Sequence, residues 1–140
     1  MREADVPIIA EMEHASHFAP WSATNFTDAL AAGYAMLVAQ RSSHVLAYAV
    51  LMLAPGEATL LNLTVSPQAR RKGIGRELLR RVLNDAKRSG ATQCFLEVRL
   101  SNTGAVRLYL AEGFAPVARR PAYYPATVGR EDALVMRAEL

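Results

Sequence analysis

The stretch VSPQARRKGIG, residues 65–75, decides the fold because it joins a strand-like run to a long helical one. Residues 58–65 (ATLLNLTV) are mostly apolar and follow a Pro-Gly turn, which is typical of a strand. Beyond the stretch, apolar side chains recur at helical spacing until Gly90, at Ile74, Leu78, Leu79, Val82, Leu83 and Ala86. The sequence therefore predicts a tight turn between a strand and a helix.

That turn has the composition of an anion site. Gly73 and Gly75 let the backbone turn tightly and leave its N–H groups unshielded, and the first N–H groups of a helix have no partner within it. The turn therefore predicts a pyrophosphate site, strengthened by the nearby cations Arg70, Arg71, Lys72 and Arg76. An ordinary glycine-containing turn before a basic helix is the alternative, because short glycine motifs have many false positives.

Toward the amino terminus, the pattern predicts two helices and then a three-stranded meander. Residues 5–15 carry apolar side chains at helical spacing, and Ser22 or Thr24 begins a second helix that ends at Gly33. Short turns predict antiparallel pairing of the three strand-like runs, which cover residues 34–40, 45–54 and 58–65.

Toward the carboxyl terminus, the pattern predicts a strand at 93–100 and a helix that begins at Ser101 or Asn102 and ends at Gly113. Two further strands are joined by a loop containing Tyr123, Tyr124 and Pro125, and they cover residues 114–119 and 132–138. The whole order predicts an α/β (α+β mixed) fold, with a mostly antiparallel mixed sheet of about six strands flanked by about four helices.

Length and composition predict one globular domain over residues 1–140. No apolar run reaches the roughly 18 residues that a membrane span needs, and the acidic start does not resemble a secretory signal. A single cysteine, Cys94, excludes an internal disulfide framework, so we expect a cytoplasmic protein with no membrane partner. The net charge of +3 favours anionic partners without choosing among nucleic acid, coenzyme and ribosome. No metal is expected, because no ligand spacing is seen around His14, His17 and His44.

Motifs across nearly the whole chain resemble the GNAT acetyltransferases. VSPQARRKGIG is similar to their coenzyme A pyrophosphate loop, Q/R-x-x-G-x-G/A, with Arg70, Gly73 and Gly75 at the pattern positions. Four other segments resemble the bacterial members that acetylate the N-terminal alanine of a ribosomal protein: FAPWS (18–22), LEVRLSNTGAVRLYLAEGF (96–114), RRPAYYP (119–125) and EDALVM (131–136). The chain departs from the family at its start, where the first family strand is missing or shortened.

The resemblance implies an acetyl-CoA-dependent N-acetyltransferase that uses acetyl-CoA as cosubstrate, acts on a protein N-terminus, and neither contacts nucleic acid directly nor forms an acetyl-enzyme. Glu97 matches the family's base, and Tyr109 matches the acid that protonates the departing thiolate. Both residue types suit the chemistry. An α-amine with a pKa of roughly 8 is mostly protonated at neutral pH and needs a base, and a phenol with a pKa of about 10 keeps a proton that it can donate. Taken alone, a strand carboxylate usually faces solvent and a helical tyrosine usually packs in the core.

The resemblance also implies which residues contact the coenzyme: Leu63, Thr64 and Val65 of the strand, Arg70, Arg71, Lys72, Gly73, Ile74, Gly75 and Arg76 of the loop, and Asn102, which also reads as a helix N-cap. The implied acceptor wall consists of Trp21, Tyr123 and Tyr124, although paired tyrosines pack equally well over a core edge. Glu131 and Asp132 are further candidates for attracting the acceptor ammonium, with a surface turn as the simpler interpretation.

Three other functions remain open from the sequence. The acceptor of a GNAT enzyme can be a lysine side chain or a small-molecule amine, and a chain that has lost catalysis can act as an acetyl-CoA sensor. A nucleic-acid-binding domain that uses the basic helix is a third alternative, but the chain lacks aromatic residues interleaved with the basic ones.

Overall fold

Six strands and four helices follow one another in the predicted order in the computed structural model, which describes all of residues 1–140. The helices are α1 (Val6–Ser16), α2 (Ala23–Ala31), α3 (Ile74–Arg88) and α4 (Thr103–Ala111), with 3₁₀ turns at Glu3–Asp5 and Pro67–Ala69. The strands are β1 (Ala35–Arg41), β2 (His44–Ala54), β3 (Glu57–Val65), β4 (Gln93–Arg99), β5 (Ala115–Pro125) and β6 (Arg130–Glu139). None of the helices is long and apolar enough to cross a membrane.

The strands form one mixed sheet in the order β1-β2-β3-β4-β6-β5, in which only β3 and β4 are parallel. Helices α3 and α4 cover one face over a core of 17 buried residues that includes Leu79, Leu96 and Met136. Helices α1 and α2 cover the other face over a smaller core that includes Ile9 and Phe26. The α/β fold with a mostly antiparallel sheet, predicted from the order of elements, is confirmed.

Local caps explain where the helices begin. Ser22 accepts a hydrogen bond from the Asn25 backbone at 3.1 Å, and the Asn25 side chain accepts one from the Ser22 backbone, which makes a reciprocal cap for α2. Asn102 caps α4, because its side chain accepts from the Ala105 N–H at 3.2 Å. Gly73 precedes α3 with φ of +77°, a conformation that residues with a Cβ atom rarely adopt.

The prediction that Tyr123, Tyr124 and Pro125 lie in a loop is wrong, because β5 extends to Pro125 and the connection to β6 comprises residues 126–129 only. Past an irregularity between Arg120 and Tyr124, pairing resumes at Tyr124 opposite Glu131 and reaches Pro125 opposite Arg130. Asp132 holds this irregularity in place by accepting from the backbone N–H of Ala122 at 2.8 Å. That hydrogen bond lowers the pKa of Asp132.

The amino terminus lies against the edge of the sheet without forming a strand. The amino group of Met1 donates to the carbonyl oxygen of Met36 in β1 at 2.7 Å, and the first regular element is the turn at Glu3–Asp5. No strand precedes α1 in the structure, in agreement with the prediction that the first family strand is missing or shortened.

Candidate active site

A cleft opens where β3 and β4 separate. The two strands pair from Glu57 opposite Gln93 only as far as Leu60 opposite Leu96. Beyond that point β3 stays paired with β2 and β4 with β6. A bulge at Leu61, which has no partner on β2, marks the divergence. The edge of β3 that faces β4 therefore carries main-chain groups without a strand partner, and a ligand can bind them.

The cleft has a volume of about 1120 Å³. Five segments line it: the end of β3, the turn before α3, the end of β4 with the start of α4, the end of α1 with the residues after it, and the β5–β6 connection with the residues that flank it. Most of the predicted site residues lie along it, namely Leu63, Thr64, Val65, Arg70, Arg71, Gly73, Ile74, Gly75, Arg76, Asn102 and Tyr109. The structure thus brings together residues that are up to 46 positions apart in the sequence, from Leu63 to Tyr109.

The turn before α3 is built to bring the backbone close to a ligand. A Cβ atom on Gly75 would lie 3.2 Å from a methyl group of Val65, so the first turn of α3 packs closely against β3 and a side chain here would have to displace Val65. Arg70 donates from Nε to the Val65 carbonyl oxygen at 3.2 Å. The N-terminus of a 15-residue helix, flanked by arginines, fits the pyrophosphate of a coenzyme.

Two of the arginines on α3 are paired with a carboxylate at the end of α4. Arg76 and Arg80 contact the carboxylate of Glu112 at 3.1 and 2.9 Å, which joins α3 to the end of α4 and lowers the pKa of Glu112. Arg70 and Arg71 have no carboxylate partner, so they are the cleft-lining cations left to neutralise a bound anion. Lys72 does not line the cleft.

Tyr109 presents a phenol hydroxyl with no hydrogen-bond partner in the protein. The residue is 7% exposed, its ring packs edge-on against Phe114 at 5.7 Å, and it borders the cleft. Burial raises the pKa of the phenol, so the hydroxyl carries its proton at neutral pH. A protonated hydroxyl without a protein partner at the wall of a cleft is suited to donate a hydrogen bond or a proton to a bound molecule.

Glu97 lies on the opposite face of the sheet from α3 and α4, because its neighbours Leu96 and Val98 point into the core beneath those helices. Its carboxylate pairs with Arg120 at 2.9 Å. Hydrogen bonding with this carboxylate raises the pKa of Tyr123. Glu97 does not line the cleft itself, so the structure does not bring it beside Tyr109.

The aromatic residues predicted for the acceptor wall also lie outside the cleft lining. Trp21 packs on Phe26 at 5.1 Å and borders a separate depression of about 430 Å³ that also contains Leu61. Tyr123 and Tyr124 contact each other at 4.9 Å at the end of β5. Their role stays a prediction.

Sequence reasoning missed Arg99 as a cleft residue. Its guanidinium donates to Glu131 at 2.9 Å and lies over the ring of Tyr124 at 4.5 Å. Arg99 and Ser101 both bond Glu131 and lower its pKa. Glu131 is therefore already paired with a cation. It is not the free carboxylate that attracting an acceptor ammonium group would require. Arg99 and Glu131 are 32 positions apart, so no local pattern pointed to their pairing.

His17 is the second residue that sequence reasoning missed, since the histidines were considered only as metal ligands. It lines the cleft next to Thr64. The protein contains no group of three or more histidine, cysteine, aspartate or glutamate side chains placed to hold a metal ion.

Comparison with known proteins agrees with this geometry. The model of the Acetyltransferase (GNAT) family matches residues 6–114. The chain is 35% identical over 136 residues to the [ribosomal protein bS18]-alanine N-acetyltransferase of Escherichia coli K12. The aligned residues cover 97% of this chain and 92% of the relative. It is 36% identical over 135 residues to the enzyme of that name from Haemophilus ducreyi, which covers 96% of this chain and 93% of the relative.

A solved structure shows the same fold. The crystal structure of the ribosomal-protein-S18-alanine N-acetyltransferase from Escherichia coli superposes with a TM-score of 0.93 at 34% identity, covering 99% of this chain and 90% of that one. A match to the family over residues 6–114, together with relatives of this identity and coverage, establishes the relationship. The chain belongs to the GNAT family of acetyltransferases, whose cosubstrate is acetyl-CoA.

Proposed function

We propose that this protein transfers acetyl from acetyl-CoA to the α-amino group of an N-terminal alanine of a ribosomal protein. The observation that carries the proposal is the cleft between β3 and β4, which joins an anion-binding turn to an unpartnered phenol, Tyr109. The relatives from Escherichia coli and Haemophilus ducreyi, which are named for the N-terminal alanine of protein bS18, support the choice of acceptor.

The residues along the cleft fit acetyl-CoA, which supplies a thioester whose acetyl carbon an amine can attack. The free edge of β3 at residues 63–65 would bind the extended arm through main-chain groups. The turn from Arg70 to Arg76 would hold the pyrophosphate, with its backbone N–H groups and the side chains of Arg70 and Arg71. Asn102 caps α4 and lines the cleft at the same time, so both of its predicted roles are compatible.

The reaction needs two proton transfers, and in this proposal Glu97 and Tyr109 carry them out. An α-amino group with a pKa of roughly 8 is mostly protonated at neutral pH and must lose a proton before it can attack. Glu97 accepts that proton, and because it lies outside the cleft lining the proton reaches it through a water molecule. Tyr109, at the cleft wall, donates its proton to the departing sulfur.

The acceptor reaches the cleft from the side of the sheet that carries Glu97. Trp21 and the tyrosine pair Tyr123 and Tyr124 form the wall that reads the acceptor's first residues in this proposal. Tyr123 touches Glu97, and the ring of Tyr124 stacks on the cleft residue Arg99. These contacts support an acceptor path between the α1–α2 connection and the β5–β6 hairpin.

A peptide panel tests the proposal. The protein is incubated with acetyl-CoA and peptides that begin with Ala, Ser, Gly or Met, plus one peptide with a blocked terminus and an internal lysine. Mass spectrometry reports acetylation, and fragment ions locate it. We expect acetylation of the α-amine of the alanine peptide and none of the blocked one. Glu97→Gln should lower kcat by about 10²–10⁴-fold, whereas Glu139→Gln, an exposed carboxylate on β6, should not.

Two other results would redirect the assignment. Acetylation of the internal lysine, or of polyamines in preference to peptides, would move the acceptor to side chains or small amines. Coenzyme binding without turnover of any amine would identify a sensor.

A further inference from the structure

A buried polar network connects α1 to the cleft. The carboxylate of Glu13 is almost fully buried, with 2% of the residue exposed. Its Oε1 accepts from the Tyr48 hydroxyl at 2.6 Å and from the Asn62 side-chain amide at 2.9 Å, and its Oε2 accepts from the Trp21 backbone N–H at 2.9 Å. All three partners are donors, which an ionised carboxylate requires because it only accepts. Glu13 is therefore a buried negative charge fixed by strands β2 and β3.

His17 is the point at which this network reaches the cleft. Its Nε2 lies 2.7 Å from the Thr64 hydroxyl and 3.4 Å from Oε1 of Glu13. The imidazole is 36% exposed and lines the cleft. Thr64 belongs to the part of β3 that has parted from β4, the strand we assign to the acetyl arm. His17 thus places a titratable group beside the proposed site of transfer.

The hydrogen bonds determine which nitrogen of the neutral imidazole is free. Asn62 must direct its amide nitrogen at Glu13, so its oxygen accepts from the Thr64 hydroxyl at 2.8 Å. Thr64 has then used its only proton and accepts from Nε2 of His17. The neutral ring therefore carries its proton on Nε2, and Nδ1, which has no hydrogen-bond partner in the protein, keeps its lone pair.

We propose that His17, oriented by Glu13 and Thr64, accepts one of the two protons that leave the acceptor nitrogen during acetyl transfer. This inference rests on the proposed function. An ammonium group has three N–H protons and the amide product has one, so two protons leave the nitrogen over the reaction that forms the N–C bond and breaks the C–S bond. Glu97 receives one before the attack and Nδ1 of His17 the other. Tyr109 protonates the departing sulfur. Before the next turnover Glu97 and His17 release their two protons to solvent and Tyr109 takes one back, so each acetyl transfer releases one net proton.

The surroundings of His17 favour a transient positive charge on the ring. Glu13 is the nearest charge, and Tyr48 behind it stays a hydrogen-bond donor because burial raises the pKa of its phenol. The base–orienter pair of histidine and carboxylate is an arrangement that stabilises an imidazolium as it forms. The other charged or titratable groups along the cleft are Arg99, paired with Glu131, then Tyr109, Arg70, Arg71 and Arg76.

The test compares His17→Gln with His14→Gln. Glutamine at position 17 keeps an N–H donor for Thr64 but has no basic nitrogen. His14 lies three residues earlier and is exposed, so its variant is a matched control. We expect His17→Gln to lower kcat by about 10²–10⁴-fold while the KM for acetyl-CoA changes by less than about threefold. His14→Gln should behave as the parent protein.

Two further measurements distinguish proton transfer from a structural role. In His17→Gly, added imidazole should restore part of kcat, with a saturating dependence on the imidazole concentration. Glu13→Gln should lower kcat in the same direction as His17→Gln while the KM for acetyl-CoA stays near that of the parent, since it removes the carboxylate that orients the ring. The folded state of each variant is checked by its unfolding curve.

Parent-like kcat in His17→Gln, or a loss of kcat that added imidazole does not restore in His17→Gly, would overturn the inference. These outcomes are separable from failure of the proposed function. If the protein acetylates lysines or small amines and no N-terminal peptide, the same variants are measured with that acceptor, because two protons leave the nitrogen in every case.

Discussion

Replacing Tyr109 with phenylalanine should separate catalysis from stability. The phenylalanine ring keeps the packing against Phe114, and the lost hydroxyl makes no hydrogen bond within the protein. Removing it therefore forfeits none of the roughly 0.5–1.5 kcal/mol that a hydrogen bond contributes. We expect the free energy of unfolding to stay within about 0.5 kcal/mol of the parent or to rise. The rate of acetyl transfer should fall by about 10²–10⁴-fold, the usual contribution of general acid catalysis.

Tyr48→Phe is the matched comparison. The Tyr48 hydroxyl is fully buried and donates to Glu13 at 2.6 Å, so its removal takes a donor from a buried carboxylate. Hydrogen bonds to charged groups are worth about 1.5–3 kcal/mol, and this variant should lose stability by that amount. Urea unfolding gives the free energies, and release of the coenzyme thiol gives kcat. The reasoning is refuted if Tyr109→Phe loses as much stability as Tyr48→Phe, or if it keeps the parent kcat.

Three other outcomes can be measured. Asn102→Ala removes the bond to the Ala105 N–H and should cost about 1 kcal/mol of stability by urea unfolding, with weaker acetyl-CoA binding by calorimetry. Glu131→Gln should lower the Tm most above pH 5. The pKa of Glu131 is lowered from 4.5 chiefly by the Arg99 hydrogen bond, so its stabilisation is present above that value and is lost as the pH falls through the lowered pKa. Cys94 is fully buried and burial raises its pKa to about 11, so a thiol reagent at pH 8 should label it only as the protein opens or unfolds; rapid labelling of the native protein would contradict this.

The elements that sequence patterns predicted correctly are those whose determinants are local. The helix after the glycine turn follows from apolar residues at helical spacing and from Gly73, which alone among the common residues accepts φ of +77° without strain. The caps at Ser22 and Asn102 are likewise interactions over three residues. Because each of these involves neighbouring residues, one window of sequence contains the whole cause.

The extent of β5 was mispredicted because the prolines in it argue against a strand. Proline lacks the N–H that a sheet interior requires, so Pro121 and Pro125 argue against extending the strand predicted at 114–119. The structure makes β5 the last strand of the sheet, with β6 on one side only. An edge strand tolerates proline where the missing N–H faces solvent, and the position of a strand within a sheet is a property of the whole fold.

The coenzyme side and the acceptor side of the cleft also differ in how far apart in the sequence their contacting residues lie. The proposed coenzyme contacts lie within the 14-residue stretch 63–76 and at the α4 cap, so local motifs describe them. On the acceptor side, the contact of His17 with Thr64 spans 47 positions and that of Arg99 with Glu131 spans 32, and no window contains both partners. A motif can therefore identify the cosubstrate of such a chain, whereas the choice of acceptor depends on contacts that only the folded chain makes. Substitutions in the stretch 65–75 should accordingly impair every acceptor alike, as should His17→Gln, while those around Arg99 should change the ranking of acceptors.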